Sequence, residues 1–165
     1  MIESTSYSAS QNTWIYNTLN SHFTPSSGSH DSRRSAVDTT IPEKRPGRRW
    51  ALVVDDVSDV TDMLSVLMTH AGYEVATASS ASEAIALAKK NHFDIVISDI
   101  GMPEMSGYQL AEALRDLPDY KAVPMVAVTG YSMFDDRNRS LTAGFNEHIT
   151  KPIDPRAFLD LIEQL

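Results

Sequence analysis

The chain has 165 residues, enough for one ordinary domain with an appendage but too few for two domains with separate cores. It has no cysteine, which excludes disulfides, thiolate metal sites and cysteine nucleophiles. No apolar stretch approaches the roughly 20 residues of a membrane span, so we expect a soluble, cytoplasmic protein without a membrane partner.

The first 49 residues differ in composition from the rest. Residues 1–49 hold ten serines and six threonines and few aliphatic residues, a composition that cannot offset the entropy lost on folding. We predict a disordered leader there, although Ile15, Leu19 and Phe23 beside Trp14 allow a short partner-binding helix as an alternative. The leader ends in basic residues that are typical of a solvated linker rather than a nucleic-acid patch: Lys44, Arg45, Arg48 and Arg49.

From Trp50 onward, short apolar runs alternate with segments of helical period. This alternation predicts an α/β domain over residues 50–165, built from five βα units around a parallel sheet that is covered on both faces. The domain carries eight basic and eighteen acidic residues, so direct binding of nucleic acid is unfavourable and binding of a divalent cation is favourable. The predicted strands are residues 50–54, 73–77, 93–98, 124–128 and 147–150.

Each predicted helix has an apolar face toward the sheet. The first is expected to begin near Ser58 and to stop at Gly72, and the second to open with a capping box of Ser80 and Glu83. The fourth, within residues 131–141, has weak helix propensity, and we expect it to be mobile. Asp154 as N-cap and Pro155 as first helical residue begin the last helix. The residues predicted to face the core are Val60, Met63, Leu64, Leu67, Ile85, Leu87, Ala88, Leu110, Ala111, Leu114, Phe158, Leu161, Ile162 and Leu165.

Polar residues follow the predicted strands where each strand ends. They are Asp55 and Asp56 after the first strand, Asp99 after the third, Thr129 after the fourth and Lys151 after the fifth. The carboxyl ends of parallel strands lie at one edge of the sheet, where open α/β sheets bind ligands. We therefore expect these five residues to converge.

Three carboxylates at one edge repel one another, at about 4 kcal/mol for each pair 4 Å apart. Lys151 neutralises one charge, whereas Mg²⁺ neutralises two and also bridges to phosphate oxygens. Asp99, between Ser98 and a flexible turn at Gly101, is then accessible as a nucleophile that forms an acyl phosphate. Taken singly, each residue also has a structural alternative, with Asp55 as a helix cap, Thr129 satisfying a strand-end carbonyl and Lys151 as a solvated charge.

Four short motifs occur in order along this domain: VVDD at 53–56, SDIGMP at 98–103, VTG at 128–130 and TKP at 150–152. Together they resemble the receiver domain of response regulators, and the resemblance covers residues 50–165. It implies a flavodoxin-like (βα)5 doubly wound parallel sheet with strand order 2-1-3-4-5.

The resemblance also implies roles for individual residues. Asp99 is the expected phosphoacceptor in a Mg²⁺-dependent pocket, with the metal held by Asp55, Asp56, Asp99 and the Gly101 carbonyl. Thr129 and Lys151 are expected to contact phosphoryl oxygens, and the Lys151–Pro152 bond is expected to be cis.

His148 departs from the family, which usually has tyrosine or phenylalanine three residues before its lysine as an activation switch. His148 is expected either to move with Thr129, or to respond to pH near neutrality, or to be an ordinary half-exposed strand residue.

By the same resemblance the chain is a signalling protein that catalyses only its own phosphorylation and dephosphorylation. A histidine kinase or a histidine-phosphotransfer protein is the expected donor. No output domain follows Leu165, so a downstream effector protein is expected, or a role as carrier or phosphate sink. The alternative is a phosphorylation-independent protein-binding module with the same fold. Phosphatases of the haloacid-dehalogenase type need Asp-x-Asp after the first strand, and Asp55-Asp56-Val57 does not fit that pattern.

Overall fold

The computed structural model describes residues 47–130 and 134–165, and side chains outside 131–138; all of these residues belong to one compact unit. The predicted leader, including its apolar stripe at residues 14–23, and the linker residues Lys44 and Arg45 lie outside the described residues, so the boundary at residue 50 remains a prediction. Ten elements follow one another: β1 (Arg49–Val54), α1 (Ser58–His70), β2 (Tyr73–Ala78), α2 (Ala81–Lys90), β3 (Ile95–Asp99), α3 (Gly107–Arg115), β4 (Met125–Thr129), α4 (Phe134–Ala143), β5 (Glu147–Thr150) and α5 (Pro155–Glu163), with a 3-10 turn at Pro118–Tyr120.

The five strands form one parallel sheet in the order β2-β1-β3-β4-β5, which confirms the predicted fold class and strand order. The chain reverses its direction of progress across the sheet between β1 and β3, the topological switch point where such sheets bind ligands. Asp99 is the last residue of β3 and pairs in register with Val128, and Thr129 pairs with Thr150. The loops after β1 and β3 therefore flank the switch point.

The core lies on both faces of the sheet because side chains alternate along each strand. On one face, Trp50, Leu52 and Val54 pack among residues of α2 and α3; on the other, Ala51 and Val53 pack among residues of α1 and α5. Every residue of β3 and β4 is buried, which explains why these strands appear as continuous apolar runs in the sequence. In the part of the chain that the structure describes, no helix combines the length and apolarity of a membrane span.

Two residues predicted to face the core are exposed instead. Met63 in α1 is 38% exposed and Leu165, beyond the end of α5, is 42% exposed, so both predictions were wrong. The buried stripe of α1 is Thr61, Leu64 and Met68, and Met63 lies about 100° around the helix from Leu64. The other predicted core residues are buried or partly buried against the two core clusters.

The helix starts agree with the sequence at Asp154 and only in part at Ser80. Asp154 Oδ1 accepts a hydrogen bond from the Ala157 N–H at 2.8 Å, with Pro155 at the first helical position. Ser80 Oγ accepts from the Glu83 N–H at 3.3 Å, but the Glu83 carboxylate accepts from the Ser79 N–H and not from that of Ser80. The expected capping box is therefore displaced by one residue. A complete box that was not predicted opens α3, between Ser106 and Gln109.

Helix α4 forms despite its weak propensity, and its C-terminal end is tied to the neighbouring elements through Arg115 of α3. The Arg115 guanidinium donates to the Gly144 carbonyl at 2.6 Å, to Asn146 Oδ1 at 2.9 Å and to the Tyr120 carbonyl at 2.6 Å. Charge-assisted hydrogen bonds of this kind are among the stronger ones in proteins. The expected mobility of α4 remains a prediction.

Two arginines at the end of the predicted linker are exposed but contact β2. Arg48 forms an ion pair with Glu74 of β2, with 3.1 Å between Nη1 and Oε1. Arg49 is the first residue of β1, and its guanidinium carbon lies 4.3 Å from the centre of the Tyr73 ring. A cation is attracted to the face of an aromatic ring, so both arginines hold the start of β1 against β2.

Tyr120 is a buried phenol that bridges two backbone segments. Its hydroxyl donates to the Asn91 carbonyl at 2.7 Å and accepts from the Phe93 N–H at 3.2 Å. Burial raises the pKa of Tyr120 to about 12; the Phe93 hydrogen bond opposes this change and the charges of Asp119 and Asp94 add to it. The folded state therefore favours the neutral phenol.

This raised pKa predicts an alkaline loss of stability. The contribution is complete below about pH 10, the pKa of tyrosine in an unfolded chain, and is lost as the pH rises through the folded value. We expect the free energy of unfolding to fall by about 2 kcal/mol between pH 10 and 12 because of this group, and Tyr120→Phe to lack that decline. Urea denaturation at several pH values measures both, with Tyr73→Phe as the control that retains Tyr120. An equal decline in Tyr120→Phe and Tyr73→Phe would contradict the assignment.

Candidate functional site

The carboxyl edge of the sheet brings together two buried carboxylates and one ammonium. Asp55 follows β1, Asp99 ends β3, and they are only 1% and 6% exposed. Lys151, just after β5, donates from Nζ to Asp55 Oδ2 at 2.8 Å and to Asp99 Oδ1 at 2.7 Å. Residues that are 44 and 52 positions apart thus share one hydrogen-bonded centre.

The second oxygen of each carboxylate accepts from a backbone N–H. Asp55 Oδ1 accepts from Val57 at 2.9 Å, where α1 is about to begin, and Asp99 Oδ2 accepts from Gly101. Asp55 therefore bonds at the helix entrance and also pairs with Lys151, so the capping alternative describes only half of its contacts. Lys151 is 28% exposed and bonded to both carboxylates, which excludes its reading as a solvated charge.

The charge of Lys151 is stabilised by its partners. Burial alone lowers the pKa of Lys151, but the hydrogen bonds that Lys151 donates to Asp55 and Asp99, together with their negative charges, outweigh burial and raise the pKa above its ordinary value. The stabilisation is complete below the ordinary lysine pKa, near 10.4, and is lost only as the pH rises through the higher folded value. Lys151 is therefore charged at neutral pH, and its ammonium lies between the two carboxylate groups.

The expected cluster of three acids is not formed in this arrangement. Asp56 is exposed, and among residues 47–130 and 134–165 no three Asp, Glu, His or Cys side chains are grouped as metal ligands. Only two of the three carboxylates meet, and Lys151 offsets their repulsion. Asp56 differs from Asp55 in burial because the chain bends at Asp56, between the end of β1 and the start of α1.

The donors nevertheless fit a hard divalent cation. The buried centre has a formal net charge of −1, and Asp56, the next residue after Asp55, carries a further carboxylate. Carboxylate and carbonyl oxygens are the ligands that Mg²⁺ prefers, and Mg²⁺ commonly keeps several waters, so it does not need a closed cage of side chains.

Thr129 and the peptide of Lys151 complete this edge. Thr129 is buried at the end of β4, next in sequence to the residue that pairs with Asp99, and its carbonyl accepts from the Lys151 N–H at 2.7 Å. The Lys151–Pro152 bond is cis. The backbone thus couples the threonine to the lysine across two strands.

His148 lies in the middle of β5 and is half-buried. Its Nδ1 is 3.4 Å from the hydroxyl of Ser140, a buried residue of α4. His148 also lines an open groove between β5 and α5. The residue therefore links β5 to α4, and its role as a switch or pH sensor remains a prediction.

Two contacts to Asp99 were not anticipated from the sequence. The buried Ser98 hydroxyl donates to the Asp99 carbonyl at 2.8 Å. Gly107, the first residue of α3, approaches the same carbonyl so closely that a Cβ atom there would lie 2.2 Å from its oxygen. The glycine in the turn was a weak signal for a close approach of two backbones; the sequence contained no signal for the serine contact.

Comparison with known proteins identifies relatives for the folded part of the chain. Residues 51–163 match the family described as the response regulator receiver domain. An uncharacterised 14.6 kDa protein of Leptolyngbya boryana is 38% identical over 113 residues, which make up 68% of this chain and 86% of that protein. The polar-differentiation response regulator DivK of Brucella ovis is 31% identical over 112 residues, 68% of this chain and 91% of DivK. Some other relatives are longer, and the chain spans only 11% of one and 23% of another.

The fold is also shared with solved structures. The chemotaxis protein CheY4 of Vibrio cholerae matches 72% of this chain and 98% of its own with a TM-score of 0.69 and 32% sequence identity.

Proposed function

The chain belongs to the response-regulator receiver family, whose members act in two-component signalling, and we propose that it accepts a phosphoryl group on Asp99. The observation that carries this proposal is that the Lys151 ammonium binds two buried carboxylates at the switch point of the sheet. Such a centre holds one carboxylate in place as a nucleophile and a cation beside it for the incoming charge.

The proposed step is a phosphoryl transfer from a phosphohistidine. An Asp99 carboxylate oxygen attacks phosphorus, the new O–P bond forms as the P–N bond breaks, and the bonding electron pair remains on the imidazole of the donor, which takes up a proton. Lys151, 2.7 Å from Asp99 Oδ1, is placed to pair with a phosphoryl oxygen, and the Thr129 hydroxyl is proposed to donate to another. Hydrolysis of the acyl phosphate returns the free carboxylate.

We propose Mg²⁺ as the cofactor, in keeping with the general metal binding of receivers. Asp55, Asp56, Asp99 and the Gly101 carbonyl would hold it. When bound, the ion neutralises negative charge on the carboxylates and on the phosphoryl oxygens. Asp56 is the ligand that must turn inward, and its exposed position leaves it free of the Lys151 pair.

The proposed partners are proteins. A histidine kinase or a histidine-phosphotransfer protein is the donor, and an effector protein senses the phosphorylated form. The contact between Ser140 of α4 and His148 of β5 is part of the proposed path by which the effector surface changes. With a net charge of −10, the domain is not proposed to bind nucleic acid directly, and we place the protein in the cytoplasm.

Beryllofluoride, which mimics the phosphoryl group, separates this function from a phosphorylation-independent binding module. With Mg²⁺ and beryllofluoride, we expect the amide resonances of Asp99, Thr129 and His148 to shift in a two-dimensional NMR spectrum of the full chain. Asp99→Asn is the control and should show no shift with the same reagents. Unchanged resonances in the wild type would contradict the switch and favour a constant binding module.

A further inference from the structure

We propose that Ser98 is a positioning residue for the phosphoryl acceptor, because its buried hydroxyl fixes the backbone from which the Asp99 carboxylate is presented. This inference rests on the proposed function. Ser98 is 1% exposed, and its Oγ lies 2.8 Å from the carbonyl oxygen of Asp99. A buried hydroxyl with this contact restrains the peptide group that joins Asp99 to Ile100.

The restrained peptide is held by further contacts. The Ile100 N–H donates to the Val128 carbonyl at 2.9 Å, and the Ile100 carbonyl accepts from the Gly107 N–H at 3.0 Å. Gly107 packs against the Asp99 carbonyl oxygen without room for a side chain. The turn after β3 is therefore fixed by β4, by α3 and by Ser98, and of these only Ser98 contributes through its side chain.

The turn after β3 also orients the Asp99 carboxylate. The Gly101 N–H, two residues on, donates to Asp99 Oδ2, while Lys151 binds Oδ1 at 2.7 Å. Rotation of the Asp99 carbonyl would displace the Gly101 N–H and leave Lys151 as the only one of these two donors on the carboxylate. The free carboxylate would then sample orientations that do not face the phosphodonor, and a misplacement near 1 Å is enough to slow a reaction by about 100-fold.

A positioning role for Ser98 can be distinguished from a merely stabilising hydrogen bond by what a substitution changes. A positioning residue changes the rate constant of phosphorylation at saturating donor, whereas a stabilising residue changes only the free energy of unfolding. We therefore measure phosphorylation of the full chain by acetyl phosphate at saturating Mg²⁺, in which an Asp99 oxygen takes the phosphoryl group and acetate leaves. Urea denaturation establishes the folded fraction of each variant under the same conditions.

For Ser98→Ala we expect the maximal phosphorylation rate to fall at least about tenfold, with the half-saturating acetyl phosphate concentration little changed. Ser98→Thr keeps the hydroxyl and is expected to restore the rate. A fully folded Ser98→Ala with the wild-type rate would overturn the inference.

If Ser98→Ala does not fold, Ser98→Cys replaces it, because a thiol fills the space of the hydroxyl, although sulfur is larger than oxygen, and donates only weakly. A slower rate for Ser98→Cys than for Ser98→Thr supports the positioning role, and equal rates overturn it. Failure of the proposed function itself has a different signature, since the wild type would then gain no phosphoryl group from acetyl phosphate.

Discussion

Replacing Lys151 by methionine is expected to lower the free energy of unfolding by about 3 kcal/mol without Mg²⁺, since it leaves two buried carboxylates without their shared cation. The same change should tighten Mg²⁺ binding at least about tenfold, because the ammonium and the metal compete for the same negative charge. Methionine keeps the length of the side chain and removes its charge and its donors. Mg²⁺ titrations followed by calorimetry, and thermal unfolding with and without Mg²⁺, measure both effects.

The matched control for this experiment is Lys121→Met, which removes one positive charge from an exposed position. It has the same effect on net charge and should leave Mg²⁺ affinity nearly unchanged. If Lys151→Met and Lys121→Met bind Mg²⁺ equally well, the lysine and the metal do not share a site, and the electrostatic account of this edge of the sheet fails.

Gly107→Ala is the second substitution with a large expected effect. A Cβ atom at Gly107 would lie 2.2 Å from the Asp99 carbonyl oxygen and 2.9 Å from the Ile100 Cα, and backbone atoms cannot move aside as a flexible side chain can. We expect a loss of about 3 kcal/mol in the free energy of unfolding. A shift of these backbone atoms also moves the Asp99 carboxylate. Phosphorylation by acetyl phosphate should therefore slow by about 100-fold in the molecules that remain folded.

Gly130→Ala is the corresponding control, since a Cβ atom at Gly130 meets nothing within 4 Å. Its unfolding free energy is expected to change by no more than about 1 kcal/mol. Equal unfolding free energies for the two alanine variants would show that there is room for a side chain between the start of α3 and the backbone of Asp99.

The positions of β1, β3 and β4 followed from the sequence because these strands are buried on both faces and consist mostly of apolar residues. Their order in the sheet was implied by the resemblance to receiver domains and not by the apolar pattern. The ends of the strands followed from the same pattern, and with them the convergence of Asp55, Asp99 and Lys151. The buried faces of the helices were harder to predict from the sequence. In α1 the spacing of apolar residues placed Met63 on the core face, but Met63 is 38% exposed and Met68, which was not predicted, is fully buried.

Features set by turn geometry were not accessible from the sequence. Asp55 and Asp56 are identical residues in adjacent positions, yet one is buried and the other exposed, because the chain bends at Asp56 before α1 begins. The contacts of Ser98 and Gly107 with the Asp99 carbonyl depend on how α3 returns to the end of β3. The periodicity of apolar side chains does not predict how closely the start of α3 approaches the end of β3.

The central claim is that the carboxylate held by Lys151 at the end of β3 accepts the phosphoryl group. Intact-protein mass spectrometry after incubation with acetyl phosphate and Mg²⁺ tests it most directly, with the wild type and Asp99→Asn compared side by side. We expect the wild type to gain the mass of one phosphoryl group and Asp99→Asn to gain none. The same gain in Asp99→Asn would place the acceptor elsewhere and contradict the claim.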